Sequence, residues 1–155
     1  MCVGDGPKAY RSRLEALARE LCLGDRLIWA GTRSDIAQTY NALDLKVCSS
    51  VSEGLPNAVA EAMATGVPCV VTDVGDCAEL LGGLGWVCPP RDSPALAASM
   101  SRALDALPCD AARIRQRICR DYSVKVQVDR TIAELFQLME PKRACPERNR
   151  STTGC

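Results

Sequence analysis

Two spacings of apolar residues alternate along this chain. Short continuous apolar runs predict strands that end at Val3 and span 26–30, 45–48, 68–72 and 84–88. Segments with apolar residues three or four positions apart predict the intervening helices, and three further helices fill the chain to about residue 139. Because strands and helices alternate through short loops, the pattern predicts an α/β fold: a Rossmann-like, doubly wound parallel sheet followed by C-terminal helices.

The segment 50–66 predicts a loop that leads into a helix over residues 56–65. Pro56 suits the first helical position and Gly66 suits the stop. Two carboxylates flank the helix entrance, Glu53 in the loop and Glu61 within the helix. Backbone N–H groups at the start of a helix lack intrahelical acceptors and attract anions. We therefore expect free donors here, with Gly54, Asn57 and Ala58 as the candidates.

A second loop follows the strand predicted at 26–30. It contains Thr32 and Arg33, and Ser34 is predicted to cap the next helix. Ligands of doubly wound sheets lie beyond the carboxyl ends of the strands. Thr32 and Arg33 are therefore candidates for ligand contacts, and a solvated turn is the alternative interpretation.

Composition excludes several chemistries. Lys plus Arg equals Asp plus Glu at 19 each, so no overall field favours nucleic acid, and the chain contains no histidine. Histidine bases, Ser-His-Asp and Cys-His pairs and histidine metal ligands are therefore excluded. The ten cysteines lack the two-residue spacing of zinc knuckles or redox dithiols, and Cys48, Cys69 and Cys88 fall in apolar runs. We interpret them as structural thiols and expect no metal site.

No signal-peptide pattern and no apolar run of the ~18 residues that span a bilayer are visible. We expect a cytoplasmic protein without a transmembrane segment. Residues 141–155 are polar, with glycine, proline and basic residues, and are expected to form a disordered tail.

The segment from Glu53 to Glu61 resembles the motif of group 1 glycosyltransferases with the GT-B fold, in which seven residues separate two glutamates. The neighbouring sequence supports the likeness from residue 1 to about 107, in the segments 3–7, 64–68, 72–75, 78–80 and 87–92. The resemblance implies the nucleotide-sugar-binding, C-terminal half of a retaining, family 4-like enzyme. Residues 1–140 are then part of that donor-binding domain.

The resemblance also implies roles for individual residues. Glu53 is the catalytic-site glutamate that contacts the donor sugar, and Glu61 contacts the ribose. The turn between them contacts the sugar and phosphates through Gly54, Leu55, Pro56 and Asn57. Gly75 is a weaker candidate for the sugar, and Thr32 and Arg33 for the base. No cofactor or metal is implied beyond the nucleotide-sugar substrate.

The likeness begins one βα unit into the donor-binding half. In the family, the absent strand lies at the sheet centre, and the segment after it supplies an arginine and a lysine to the donor diphosphate. The acceptor-binding, N-terminal domain is absent as well. We therefore expect two unpaired inner strand edges, and no catalysis by these residues alone unless the missing portion is supplied in cis or in trans. In the full-length enzyme, peripheral membrane association is an additional option.

Two alternative functions are kept. One is a non-catalytic module that binds a nucleotide or a partner protein. The other is a different GT-B enzyme, such as a sugar epimerase or a phosphorylase. This second alternative is disfavoured. An epimerase would need further acids and a histidine, and a phosphorylase would need a lysine carrying pyridoxal phosphate. Neither the base, the sugar nor the acceptor follows from the sequence.

Overall fold

The computed structural model describes residues 1–139. The tail predicted at 141–155 lies outside the described residues. The strands are Cys2–Val3 (β1), Trp29–Gly31 (β2), Lys46–Cys48 (β3), Cys69–Thr72 (β4) and Trp86–Cys88 (β5). The helices are Lys8–Glu20 (α1), Ile36–Asn41 (α2), Asn57–Ala64 (α3), Cys77–Leu81 (α4), Ser93–Asp105 (α5), Ala111–Asp121 (α6) and Val124–Met139 (α7).

All strand pairs are parallel, as the alternating pattern predicts. β1 pairs with β2, and β4 lies between β3 and β5. These strands form two separate sheets, one of two strands and one of three, with no ladder joining them in residues 1–139. The α/β fold is confirmed, and the sheet is divided between β1 and β3.

The core lies around the three-stranded sheet. Val70 and Val71 of β4 are fully buried, since helices cover both faces of a parallel strand. From the flanking helices, Met63 of α3, Leu80 of α4 and Ile114 of α6 join them among the buried residues. Arg117 of α6 ties α6 to α4, because its Nε donates to the Leu80 carbonyl at 2.8 Å and its Nη2 to the Glu79 carbonyl.

The N-terminal part is packed far less tightly. No residue before Thr39 is buried, and α1 has no buried side chain. Trp29 of β2 is half-buried beneath the guanidinium of Arg11, whose carbon lies 3.9 Å from the ring centroid. The same region therefore has strands and helices but lacks the apolar burial that stabilises them.

Helix α7 has no buried residue, and all its side chains except that of the half-buried Val126 are exposed. Its apolar residues include Val128, 49% exposed, and Phe136, 65% exposed. The stripe predicted from the sequence therefore exists but covers no core in residues 1–139. No helix among these residues combines the length and apolar character needed to cross a membrane.

Three local predictions are wrong in detail. Asp35 rather than Ser34 occupies the N-cap of α2, and its carboxylate pairs with Arg33 instead of capping the helix. Pro56 is the N-cap of α3, so this helix begins at Asn57. The strand predicted at 26–30 is Trp29–Gly31, because 24–26 form a short 3₁₀ turn.

Candidate functional site

The entrance of α3 has no capping side chain. Pro56 is buried at the N-cap, and its carbonyl accepts from the N–H groups of Val59 and Ala60 at 2.9 and 3.2 Å. The N–H groups of Asn57 and Ala58 precede the first intrahelical bond and have no acceptor within the helix. Both residues are exposed. This helix end can therefore donate hydrogen bonds to an anion, as the sequence predicts.

Glu53 is held by the loop that follows β3. Its Oε1 accepts a hydrogen bond from the Ser50 hydroxyl at 2.6 Å, and the Cys48 sulfur lies 3.9 Å away. The carbonyl of Ser50 in turn accepts from the hydroxyl of buried Thr72 on β4, at 2.6 Å. The half-buried Glu53 carboxylate is thereby fixed relative to the central strand of the larger sheet, with its second oxygen available.

Gly75 packs against the backbone of the same loop. Its φ is +51°, and a Cβ built there would lie 2.3 Å from the Glu53 carbonyl oxygen. The N–H of Asp76 donates to the Gly54 carbonyl at 3.0 Å. The 73–76 turn therefore supports the Glu53–Gly54 backbone from behind, and only glycine meets both the conformational and the steric requirement.

Glu61 is held by a residue that the sequence did not single out. The Tyr40 hydroxyl of α2 donates to its Oε2 at 3.0 Å. Burial, followed by the hydrogen bond to Glu61, raises the pKa of Tyr40 to about 12, so this phenol remains a donor at neutral pH. Glu61 itself is exposed and lies one turn after Asn57 on the same helix face. Since helical side chains lean towards the N-terminus, this carboxylate lies beside the open end of α3.

A cavity of about 900 Å³ separates the two sheets. Thr32, Arg33, Tyr40 and Ala58 all line it, so the loop after β2 and the first turn of α3 face the same cavity. Both loop side chains already have partners: the Thr32 hydroxyl donates to Asp5 at 2.6 Å, and Arg33 pairs with Asp35. The hydrogen bond and the charge of the Asp35 carboxylate also raise the pKa of Arg33, and the two side chains form an ion pair at the surface.

The candidate residues thus form two groups. Glu53, Gly54 and Gly75 lie at the loops after β3 and β4. In the other group Tyr40 holds Glu61, and Thr32 and Arg33 line the same cavity as Tyr40. The remaining candidates lie at the start of α3. Leu55 and Asn57 are exposed, and Pro56 is buried.

The groups missed from the sequence are Tyr40, Ser50 and Cys48. Tyr40 belongs to the apolar stripe of α2, so its pattern indicated only a core residue. Ser50 lies three residues before Glu53, a spacing that permits such a contact without requiring it. Within residues 1–139, no cluster of three or more Cys, Asp or Glu side chains is arranged to hold a metal.

The cysteines of the three-stranded sheet lie as apolar residues do. Cys69 and Cys88 are buried and Cys48 is half-buried, and all eight cysteines of the described part are unpaired. Burial raises the pKa of the Cys69 thiol to about 12. Burial also raises the pKa of the Cys88 thiol, so Cys69 and Cys88 pack as neutral thiols at physiological pH.

Comparison of the sequence with known protein families identifies the family of this chain. Residues 1–106 match the family described as glycosyl transferases group 1. The chain belongs to this family. Its fold is that of the GT-B glycosyltransferases, because solved members superimpose on it as described next.

Individual relatives show how much of such a protein is present. The chain is 32% identical to the lipopolysaccharide core biosynthesis mannosyltransferase LpsB of Rhizobium meliloti, covering 83% of this chain and 38% of the relative. The crystal structure of Anabaena Alr3699/HepE in complex with UDP gives a TM-score of 0.78 at 27% identity, covering 88% of this chain and 40% of the other. The chain therefore spans about two fifths of the relatives that it matches.

A third match is itself a partial protein. The C-terminal domain of the group 1 glycosyl transferase LpcC from Francisella tularensis gives a TM-score of 0.67 at 22% identity. This alignment covers 77% of our chain and 66% of that domain. At this sequence identity the match is evidence for the fold alone.

Proposed function

We propose that these residues form the donor-binding domain of a retaining, family 4-like glycosyltransferase. A nucleotide-diphospho-sugar lies across the entrance of α3, with its sugar at Glu53 and its ribose at Glu61. The acceptor hydroxyl attacks the anomeric carbon from the face that the diphosphate leaves. The bond to the acceptor oxygen forms as the bond to the phosphate oxygen breaks, and the hydroxyl proton passes to the departing diphosphate. The domain binds the donor, and a second domain binds the acceptor.

The observation that carries this proposal is the uncapped entrance of α3 between two supported carboxylates. Each carboxylate has one oxygen held by a neighbouring hydroxyl, from Ser50 for Glu53 and from Tyr40 for Glu61. The second oxygen of each is free to accept a hydroxyl of a sugar or ribose. The N–H groups of Gly54, Asn57 and Ala58 lie between them and suit a diphosphate.

The relatives support the choice of ligand. The Anabaena protein was crystallised with UDP and with UDP-glucose, at 27% identity to this chain. We therefore propose a nucleoside diphosphate sugar as the substrate here, with no metal or other cofactor required. The Thr32–Arg33 loop is the proposed neighbour of the base.

We further propose that residues 1–155 do not transfer sugar by themselves. A departing diphosphate needs cations, and loss of a charge-stabilising donor of this kind costs about 3 kcal/mol in the transition state. Arg33, the one basic residue among the candidates, is paired with Asp35. The same pair supports the second candidate function, a module that binds nucleotide without catalysis.

Paired variants test the binding roles. Glu61→Ala should weaken binding of free nucleoside diphosphate about tenfold or more, since a hydrogen bond to a charged group contributes roughly 1.5–3 kcal/mol. Glu53→Ala should leave the free nucleotide unaffected and weaken only the nucleotide-sugar. Titration calorimetry with UDP, GDP and ADP, each with and without a sugar, measures both. Equal losses for the bare nucleotide in the two variants would overturn the assignment.

A reconstitution experiment separates enzyme from module. The chain is mixed with the separately produced remainder of a group 1 glycosyltransferase, and sugar transfer is assayed with a panel of donors. Restored transfer that Glu53→Gln abolishes supports the enzyme. Nucleotide binding without restored transfer supports the module.

A further inference from the structure

Aspartate occupies the N-cap position of α2, α4, α5 and α6. Asp92 and Asp110 cap α5 and α6, because each carboxylate accepts from the N–H three residues ahead, at 2.9 and 3.0 Å. Asp35 makes no such bond at α2, where Arg33 engages its carboxylate instead. The first N–H groups of α2 therefore lack the acceptor that an N-cap aspartate can supply.

The pair of Arg33 and Asp35 is well formed but exposed. Nε of Arg33 donates to Oδ1 of Asp35 at 2.8 Å, and Nη2 donates to Oδ2 at 2.5 Å. The hydrogen bond from Arg33 lowers the pKa of Asp35, so this carboxylate is ionised at neutral pH. The two side chains are 46% and 40% exposed, and exposed ion pairs contribute little to stability because water and salt screen them. A competing anion can therefore open the pair.

The guanidinium of Arg33 faces the same cavity as the first turn of α3. Arg33 and Ala58 both line this cavity of about 900 Å³. The other charged side chains of the lining are one acid and one base, Asp44 and Lys46. A guanidinium binds a phosphate through two parallel hydrogen bonds, as it binds a carboxylate. A phosphate in the cavity could therefore take the place of Asp35 on Arg33.

We propose that Arg33 exchanges its partner when a nucleotide binds: the phosphate next to the ribose takes the guanidinium, and the released Asp35 carboxylate caps α2. This inference rests on the proposed function, in which the base lies beside the Thr32–Arg33 loop and only the ribose separates the base from that phosphate. Asp35 is thus an internal competitor of the ligand. Its capping bond offsets the loss of the ion pair. The exchange concerns affinity and not sugar transfer, since one guanidinium neutralises only part of the diphosphate charge.

Capping of α2 also affects the support of the second glutamate. Helix α2 has six residues, and Tyr40 near its end donates to Glu61 at 3.0 Å. Because so short a helix is marginal by itself, a cap at its first turn stabilises the element that holds Tyr40. Phosphate binding at Arg33 therefore strengthens the position of Glu61, the proposed partner of the ribose. Phosphate and ribose are bound cooperatively.

A double-mutant cycle tests the exchange. Asparagine caps a helix as well as aspartate does but has no charge with which to hold Arg33. Asp35→Asn should therefore bind a nucleoside diphosphate about two- to fivefold more tightly than the parent, as measured by titration calorimetry with UDP, GDP and ADP in physiological salt. Arg33→Ala should bind about tenfold more weakly, since it loses hydrogen bonds to a charged group.

The double variant decides between exchange and simple repulsion. Without Arg33 there is no partner to release, so adding Asp35→Asn to Arg33→Ala should leave the affinity unchanged. Salt screens the remaining effect of an exposed charge at a distance. An equal gain from Asp35→Asn with and without Arg33 would show that the aspartate only repels the ligand, and would overturn the proposal.

Two controls define the ligand group and the place of the effect. Arg33→Ala should weaken nucleoside mono- and diphosphates alike and leave the nucleoside unaffected, and an equal loss for the nucleoside would assign Arg33 to the base and overturn the exchange. Arg120 forms a pair of the same bidentate geometry with Asp121 on α6, at 2.7 and 2.8 Å. Arg120→Ala should bind like the parent.

The capping step has its own readout. The Gln38 N–H lies three residues after Asp35, as the capped N–H of Ala95 does after Asp92. Its amide resonance should shift when nucleotide is added to the parent, and should shift less in Asp35→Asn, where the cap already exists. An unchanged Gln38 resonance in the parent would refute the exchange. A parent that binds no nucleotide would refute the proposed function as well, whereas binding without coupling between Arg33 and Asp35 would refute this inference alone.

Discussion

At the scale of single residues, the most informative contact is that of Tyr40 with Glu61. The phenol holds one carboxylate oxygen at 3.0 Å and is itself buried, so it fixes the direction of the glutamate without competing for the second oxygen. Tyr40 is therefore a positioning residue in the proposed site. Its hydroxyl acts on the ligand only through Glu61.

Removal of that hydroxyl should weaken nucleotide binding while the fold is retained. Tyr40→Phe keeps the buried ring but loses a hydrogen bond worth about 1 kcal/mol, which corresponds to about fivefold weaker binding of a nucleoside diphosphate. Calorimetric titration measures the change. Tyr10→Phe, at an exposed tyrosine of α1, is the control and should bind like the parent. Unchanged affinity in Tyr40→Phe would exclude a positioning role.

The same tyrosine predicts a dependence of stability on alkaline pH. Its pKa is raised in the folded state to about 12 from an ordinary value of 10.0. The stability it contributes is therefore fully present below about pH 10 and is lost as the pH rises towards 12. Urea unfolding across this range should show a steeper loss of stability for the parent than for Tyr40→Phe. Parallel curves for the two proteins would contradict the shift.

The sequence predicted the two glutamates but not the residues that hold them. Glu53 and Glu61 follow from their spacing and neighbours, which are local features of the chain. Tyr40 lies 21 residues from Glu61, and their contact exists only because α2 packs on α3. The spacing of apolar residues does not predict which helices pack together, so this contact could not be predicted from the sequence. The roles of the glutamates remain predictions.

At the scale of elements, the loop after β3 and the turn before α4 form one unit. Gly75 lies against the Glu53 carbonyl, and Asp76 donates to the Gly54 carbonyl. The site loop therefore rests on α4, whose Leu80 is fully buried. Its geometry is set by the core rather than by the loop alone.

Substitution of Gly75 should affect both stability and binding. Gly75→Ala places a Cβ against the Glu53 carbonyl and puts a non-glycine residue at a positive φ. Together these effects should lower the free energy of unfolding by about 2 kcal/mol or more. Gly83→Ala is the matched control, because Gly83 has a φ of +78° but open space around it. Urea unfolding and nucleotide-sugar titration should show the larger loss in Gly75→Ala. Equal losses would mean that the close packing has no effect.

Helices were better predicted than strands. The three-to-four spacing predicted α5 and α7 as helices, although the apolar stripe of α7 covers no core in residues 1–139. Asp92 caps α5 by accepting from the Ala95 N–H at 2.9 Å. The strands have two to four residues, and their limits depend on which neighbour offers a hydrogen bond. The cap of α2 was misassigned for a related reason: Asp35 follows Ser34 directly, and Arg33 engages its carboxylate.

At the scale of the whole molecule, burial is unevenly distributed. The fully buried side chains belong to the segment from Val59 to Ser99 and to Ala103, whereas residues 1–38 bury none. Apolar burial is the main favourable contribution to folding, so local stability should follow the same division. The alternation of strands and helices could be read from the sequence, but the division of burial depends on which strands meet.

Hydrogen exchange of the native chain tests this division. Amides of α1 and β2 should exchange through local opening that costs far less free energy than global unfolding. Those of β4 and α3 should exchange only with global unfolding, and denaturant should accelerate them with the full slope. Mass spectrometry of peptic fragments resolves these segments. Equal protection across residues 1–118 would show that the two sheets unfold together.

The two sheets each contain one tryptophan, Trp29 in β2 and Trp86 in β5. Because Trp29 lies beneath a guanidinium and Trp86 belongs to the three-stranded sheet, each indole reports on its own half of the molecule. Replacing either one by phenylalanine leaves a chain whose fluorescence comes from a single sheet. The two tryptophans are therefore separate fluorescence probes of the two sheets. If a ligand or partner couples the sheets, the thermal unfolding curves of the two single-tryptophan proteins should coincide.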